Sequence, residues 1–231
     1  MAGSGHDRSK ATAIRAVIFD YAEVISIAPS PEEMASMATV LGLPPDQFRD
    51  LYAKGRAAYD RGDLTAATYW LKFADDAGVR LDFTQLEELR RLDVGMWSKV
   101  NPQMVRWIES LSEAGLKTAV LSNMIPDMAV HARQTFGWLN RLTHQVLSCE
   151  VRLVKPDRAI YERCLEGLEV TASETLFLDD SEINVQAARE LGITAIRFQS
   201  VEQLRDELAA SPFAILPSIS ERPLPTTSSS E

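Results

Sequence analysis

The sequence predicts an α/β protein, with a parallel sheet held between layers of helices and a four-helix unit set into it. Three observations carry this reading. Five short, continuous apolar runs of strand length recur along the chain, helical patterns separate the later four, and one long stretch from about 29 to 94 holds helical patterns and no strand.

The first run, Ala16-Val-Ile-Phe19, is apolar throughout, as a strand buried on both faces must be. After it, Pro31–Leu41, Pro45–Arg61, Leu64–Ala77 and Thr84–Asp93 carry helical spacing. Gly42-Leu-Pro-Pro45, Arg61-Gly-Asp63 and Asp76-Ala-Gly-Val79 punctuate them, and Thr84-Gln-Leu-Glu87 has the spacing of a capping box. The aromatics Phe48, Tyr52, Tyr59, Tyr69, Trp70 and Phe73 recur at three, four and seven, which marks them as the core of this helical unit. The later strands are expected at Thr118–Leu121, Gln145–Ser148, Thr175–Leu178 and Thr194–Phe198. Between them lie helices at Pro126–Phe136, Asp157–Leu168 and Ile183–Leu191, the last stopped by Gly192, and a second capping box at Thr171-Ala-Ser-Glu174. Strand and helix alternating in this way make a parallel sheet with right-handed crossovers, a Rossmann-like three-layer core. The chain thus divides into a core of 13–28 and 95–217, a helical cap of 29–94, and polar, disordered tails at 1–12 and 218–231. Inserted where the first strand ends, the cap sits over the edge at which open α/β sheets bind ligands.

Composition narrows the function. A chain of 231 residues that is 45% hydrophobic and 25% charged is ordinary globular usage, which excludes a disordered or fibrous protein. The net charge of −9 repels phosphate backbones and anionic lipid alike, so no nucleic acid or membrane partner is expected. No apolar run approaches a bilayer span, and the opening MAGSGHDRSKATA lacks the apolar stretch of a secretory signal. Cys149 and Cys164 are too few for a disulfide framework and read as core thiols, so a cytoplasmic protein is expected; its oligomeric state is not legible.

The chemistry lies at the strand ends. The first strand ends in Asp20, the second in Ser122-Asn123, the third leads to Lys155-Pro156-Asp157, and the fourth ends in Asp179-Asp180 with Asn184 following. A parallel sheet brings these residues to one edge. A single strand-end Asp is commonly a helix N-cap, but four successive ends bearing Asp, Ser, Lys and Asp-Asp are not explained by capping. Three carboxylates at one point raise one another's pKa values unless a cation lies among them, and such oxygen-rich sites with a substrate phosphate suit Mg²⁺. Lys155 adds a point charge, Ser122 and nearby backbone N–H groups add neutral donors, and an Asp so placed is a nucleophile for phosphoryl transfer.

In these residues the chain resembles the haloacid dehalogenase-like hydrolase superfamily, whose four motifs correspond in order to AVIFDYAEVI, TAVLSN, VKPD and LFLDDSEIN. The resemblance covers about residues 14–200 and includes a helical cap between the first two motifs. It implies that Asp20 is the nucleophile and a metal ligand, that Ser122 and Asn123 hold phosphate, and that Lys155 bridges phosphate and nucleophile. It further implies that Asp179, Asp180 and the backbone carbonyl of Ala22 ligate Mg²⁺, with Asn184 orienting the acidic pair. One departure stands out. Phosphatases of the family carry an acid/base Asp two residues after the nucleophile, where this chain has Ala22, and such a group is worth ~10²–10⁴-fold in rate. Some members with Gly there resemble sugar-phosphate phosphatases. Glu23 is adjacent, but in an extended chain it would face away from the site. A site without an acid favours leaving groups that need little protonation, such as anomeric or acyl phosphates.

The expected function is therefore a Mg²⁺-dependent phosphatase of a small phosphorylated metabolite, a sugar phosphate among the candidates. The alternatives are a 2-haloacid dehalogenase, whose relatives manage without the metal that Asp179-Asp180 suggests, and a silent binding module left by the loss of the acid at Ala22. His131 and His144 lack metal-binding spacing and read as surface or core residues, and Arg152 reads as a solvated loop residue.

Overall fold

A computed structural model describes residues 13–210 and 216–220. Strands β1 (Ala16–Phe19), β2 (Lys117–Ser122), β3 (His144–Leu147), β4 (Thr175–Asp179) and β5 (Thr194–Arg197) form one sheet in the order β3-β2-β1-β4-β5, every pair parallel. β1 is central, and all four of its residues are fully buried.

Alternation along the strands sorts the core into two layers. Val17, Phe19, Val120, Leu176 and Leu178 face one side, which is covered by Trp107 of α5 (Pro102–Glu113), Met128 of α6 (Pro126–Thr135) and Leu204 of α10 (Val201–Ala210). Ala16, Ile18, Ala119, Leu121 and Phe177 face the other, against Ile160, Tyr161 and Cys164 of α8 (Arg158–Leu168) and Val185 of α9 (Glu182–Glu190). A single turn, α7 (Ser148–Val151), follows β3. The three-layer expectation is met.

Between β1 and α5 lie α1 (Pro31–Leu41), α2 (Pro45–Asp60), α3 (Ala66–Ala77) and α4 (Phe83–Met96). The six aromatics singled out from their spacing are all buried, with Phe48 stacked over Trp70 at 6.3 Å and Tyr59 over Tyr69 at 4.5 Å. Ser30 and Glu33 form a capping box on α1, and Gly42 at φ +67° closes it in the left-handed conformation that glycine adopts without strain. The two connections to these helices lie side by side. Ser26 pairs antiparallel with Val100, Ile27 N donates to Lys99 O at 2.8 Å and Asn101 N to Ile25 O at 2.7 Å, so the helices join the core through a paired neck beside Asp20.

Four expectations need correction. The α4 capping box is Asp82 with Gln85, so the helix starts at Phe83; Thr84 lies inside the first turn. That helix also runs to Met96, past the expected boundary at 94. α5 and α10 were not anticipated, although Asn101-Pro102 is an N-cap with proline at N1 and Met104, Trp107, Ile108 and Leu111 form a buried stripe. The tail expected from 218 starts too early: Ile219 is buried and Trp107 Nε1 donates to the Pro217 carbonyl at 2.7 Å. The remaining tail residues, 1–12 and 221–231, lie outside the described residues.

Candidate active site

Strand register builds the site. Phe19 pairs with Leu178 and with Val120, so the next residues, Asp20, Asp179 and Leu121-Ser122, emerge together at the carboxyl edge, and Asp20 N continues the ladder to Leu178 O at 2.8 Å. Asp20, Asp179 and Lys155 are buried, at 5%, 0% and 4% exposure. Lys155 Nζ lies 2.8 Å from Asp20 Oδ1 and 2.6 Å from Asp179 Oδ2, so one ammonium joins two carboxylates. Ligand oxygens of Asp20, Asp179 and Asp180 all lie within 4.8 Å of one another.

Each carboxylate has its own positioning. Tyr21 N donates to Asp20 Oδ1 at 2.6 Å, Ser181 N donates to Asp179 Oδ1 at 2.9 Å, and Asn184 Nδ2 donates to both Asp179 oxygens at 3.0 and 3.2 Å. Burial pushes the Asp20 carboxyl up to about 7; Lys155 works against this shift, while Asp179 and Asp180 add to it. Burial also raises Asp180, with Asp179 and then Glu23 reinforcing the shift by their charges. Burial opposes the charge of Lys155, but the two carboxylates outweigh it and hold the ammonium above its usual range.

Two site residues are held in ways that the sequence does not show. The Asn123 side chain is not free but committed to the Lys155 backbone: Nδ2 donates to Lys155 O at 3.0 Å and Oδ1 accepts from Lys155 N at 2.8 Å. Its amide pins the lysine loop to the end of β2. The chain after Asp20 is not extended either. Ile25 N and Ser26 N both return to Tyr21 O, at 3.0 and 2.7 Å, and Glu23 sits at φ +57°, exposed, with its N–H on Ser26 Oγ. This turn brings the Glu23 charge to bear on Asp180.

Sequence reasoning missed the inner face of the inserted helices. A cavity of about 200 Å³ opens beside Ala22, Ser122 and Asn123 and is lined by Tyr21, Trp97, Met124, Ile125, Met128, Tyr52, Arg56 and Asp60. Tyr59, Trp70 and Lys72 of the same helices do not line it. Tyr59 and Trp70 lie in the aromatic core, and Lys72 is exposed and paired with Asp76. Ser148, also unforeseen, ties the layers together: it accepts from Met124 N at 2.8 Å and donates to the Asp60 carbonyl. Tyr52, Arg56 and Asp60 lie four residues apart on one face of α2, and their packing on Asp93 of α4 buries that face.

His131 shares a hydrogen bond of 3.0 Å with Ser98 Oγ, and Arg152 is exposed, 3.5 Å from Asp63. Both cysteines are free, Cys164 buried and Cys149 half-buried. Among the described residues no helix is long and apolar enough to cross a membrane.

Residues 9–192 match the haloacid dehalogenase-like hydrolase family. Bifunctional epoxide hydrolase 2 of Sus scrofa is 26% identical over 214 residues, which cover 85% of this chain and 38% of that protein. (S)-2-haloacid dehalogenase 1 of Pseudomonas sp. strain CBS-3 is 27% identical over 153 residues, 66% of this chain and 67% of that one. The chain therefore spans well under half the length of the epoxide hydrolase. A HAD family enzyme of Bacteroides thetaiotaomicron, solved with magnesium and inorganic phosphate, has a TM-score of 0.65 at 18% identity, over 81% of this chain and 95% of that chain. At that identity the likeness is one of fold.

Proposed function

Because this chain belongs to the haloacid dehalogenase-like hydrolase family, we propose that it is a Mg²⁺-dependent phosphatase of a small phosphorylated metabolite, with Asp20 as nucleophile. The observation that carries this reading is the buried Asp20–Lys155–Asp179 chain with Asp180 beside it. An all-oxygen donor set of three carboxylates fits Mg²⁺, with the Ala22 carbonyl as a further donor. When bound, the ion neutralises the carboxylates and the phosphate oxygens that meet them.

The remaining chemistry belongs to the chain. Asp20 Oδ attacks phosphorus, the ester P–O bond breaks, and an aspartyl-phosphate forms while the leaving alkoxide takes a proton from solvent water; a water then attacks phosphorus, freeing the carboxylate and inorganic phosphate and returning a proton to solvent. Lys155 holds Asp20 in line and offers charge to a phosphate oxygen. Ser122 is the side-chain donor left for the phosphate, since the Asn123 amide is used on Lys155 and only its backbone N–H remains to contribute. Asn184 and Ser181 N keep the Asp179 carboxylate oriented.

The test is hydrolysis of p-nitrophenyl phosphate by the purified protein with Mg²⁺. Turnover that is abolished by EDTA and by Asp20→Asn supports the reading; turnover indifferent to both overturns it. The dehalogenase reading is the less favoured, because the Asp179-Asp180 pair gathered beside Asp20 offers a metal site for which attack on a carbon–halogen bond has no use.

A further inference from the structure

We propose that the leaving group of this enzyme's substrate is compact, uncharged and largely apolar, so that the substrate is a simple alkyl or aryl monophosphate rather than a sugar phosphate or a phosphorylated carboxylic acid. The proposal rests on the phosphatase reading above and names the substrate class of that site.

The cavity beside Ala22 is where the leaving group lies once a phosphoryl group sits between Asp20 and Ser122. At about 200 Å³ it is smaller than the roughly 300–1,000 Å³ of sites for drug-sized ligands. Trp97, Met124, Ile125 and Met128 give it an apolar wall. Three of its polar side chains are already committed elsewhere. Tyr21 Oη donates to the Trp97 carbonyl at 2.7 Å, Tyr52 Oη donates to Asp93 Oδ1 at 2.7 Å, and the Asn123 amide is spent on the Lys155 backbone. A sugar carries several hydroxyls that would leave water for this wall. Each one left without a partner lowers affinity by on the order of tenfold.

Charge excludes a second anionic group. The Arg56 guanidinium meets both oxygens of Asp93 through Nη1, at 3.1 and 3.0 Å, and Asp60 Oδ1 through Nε, at 3.1 Å. It also lies over the Tyr52 ring, 4.6 Å from the centroid. With one buried carboxylate and a second at hydrogen-bond distance, this cluster has no positive charge to offer a substrate carboxylate. The loss of the acid at position 22 bears on the aryl members of this class, because a phenol-like leaving group with a pKa of ~10 departs with little help from a proton donor; for alkyl esters the case rests on the pocket alone.

The experiment compares kcat/KM, with Mg²⁺, for n-butyl phosphate, glucose 6-phosphate and phosphoglycolate, taking p-nitrophenyl phosphate as reference. n-Butyl phosphate and glucose 6-phosphate both release a primary alkoxide, so their ratio reports the pocket and not the leaving group's basicity. The expected result is that n-butyl phosphate exceeds each of the other two by at least about tenfold, mainly through KM. Glucose 6-phosphate or phosphoglycolate matching or exceeding n-butyl phosphate, while p-nitrophenyl phosphate is turned over, overturns the proposal and leaves the phosphatase reading standing. No turnover of any of the four removes the phosphatase reading and this proposal with it. Met128→Gln, which puts an amide into the apolar wall, is expected to raise KM for n-butyl phosphate and narrow the gap to glucose 6-phosphate; an unchanged ratio in the folded variant counts against the proposal.

Discussion

Lys155 carries more than any other single side chain in this molecule. Two carboxylates, at 2.8 and 2.6 Å, share this one ammonium in a buried site where a carboxylate without a partner is costly. Lys155→Met is therefore expected to remove turnover and to destabilise the fold by about 3–5 kcal/mol, as when one member of a buried ion group is deleted. Mg²⁺ should restore part of that stability and none of the activity, which thermal melts with and without the ion will show. Asp20→Asn acts in the opposite direction on stability. With its pKa pushed up to about 7 by burial, above the 3.8 of a free carboxylate, Asp20 supports the fold when protonated; that contribution is full below about pH 4 and is lost as pH rises through about 7. In metal-free buffer the wild type should lose stability between pH 5 and 8 more steeply than Asp20→Asn, and a wild-type curve no steeper than that of the variant would contradict the assignment. The neutral variant keeps the fold while the reaction falls by at least ~10³-fold.

The elements differ in how openly the sequence announces them, and the reason is the range over which each signal acts. β1 and β4 were legible because strands buried on both faces must be apolar without interruption, a requirement local to four or five residues, whereas the edge strands β3 and β5 keep only two buried residues each. Asp20, Lys155, Asp179 and Asp180 were legible because strand ends in a parallel sheet share an edge, so topology alone brings them together. Arg56 was not, because a polar residue on an amphipathic helix reads as solvated, and its burial depends on Asp93, 37 residues away on α4. The same holds for the Asn123 amide, whose partner is the backbone of Lys155, 32 residues on. A local misreading, the α4 cap, shows the limit of pattern spacing: both Asp82 and Thr84 are followed three residues later by Gln or Glu, and the structure uses the earlier pair. Asp82→Ala should therefore cost about 1 kcal/mol, read as a lower urea midpoint, whereas Thr84→Ala should cost far less.

At the scale of the whole molecule, the inserted helices and the sheet share one hydrophobic core. Phe48, Trp70 and Phe73 belong to the same contiguous cluster as Phe19, Trp107 and Leu178, and the paired neck at Ser26 and Val100 joins the two parts a few residues from Asp20. Ser148 adds a polar tie, accepting from Met124 N and donating to the last carbonyl of α2. Damage to the helical insert should therefore be felt throughout the chain. Phe48→Ala, deep in the insert and not itself in the cavity lining, is expected to cost about 3–5 kcal/mol and to lower one unfolding midpoint reported alike by tryptophan fluorescence and far-ultraviolet circular dichroism. Mg²⁺ should move that single transition in the variant as it does in the wild type, by about 2.7 kcal/mol at a hundred times its Kd, because a ligand of the native state stabilises whatever unfolds with its site. Two separated transitions, with only the later one responding to Mg²⁺, would show instead that the helices and the sheet fold as independent units, and that the shared core does not couple the substrate cavity to the carboxylate cluster beneath it.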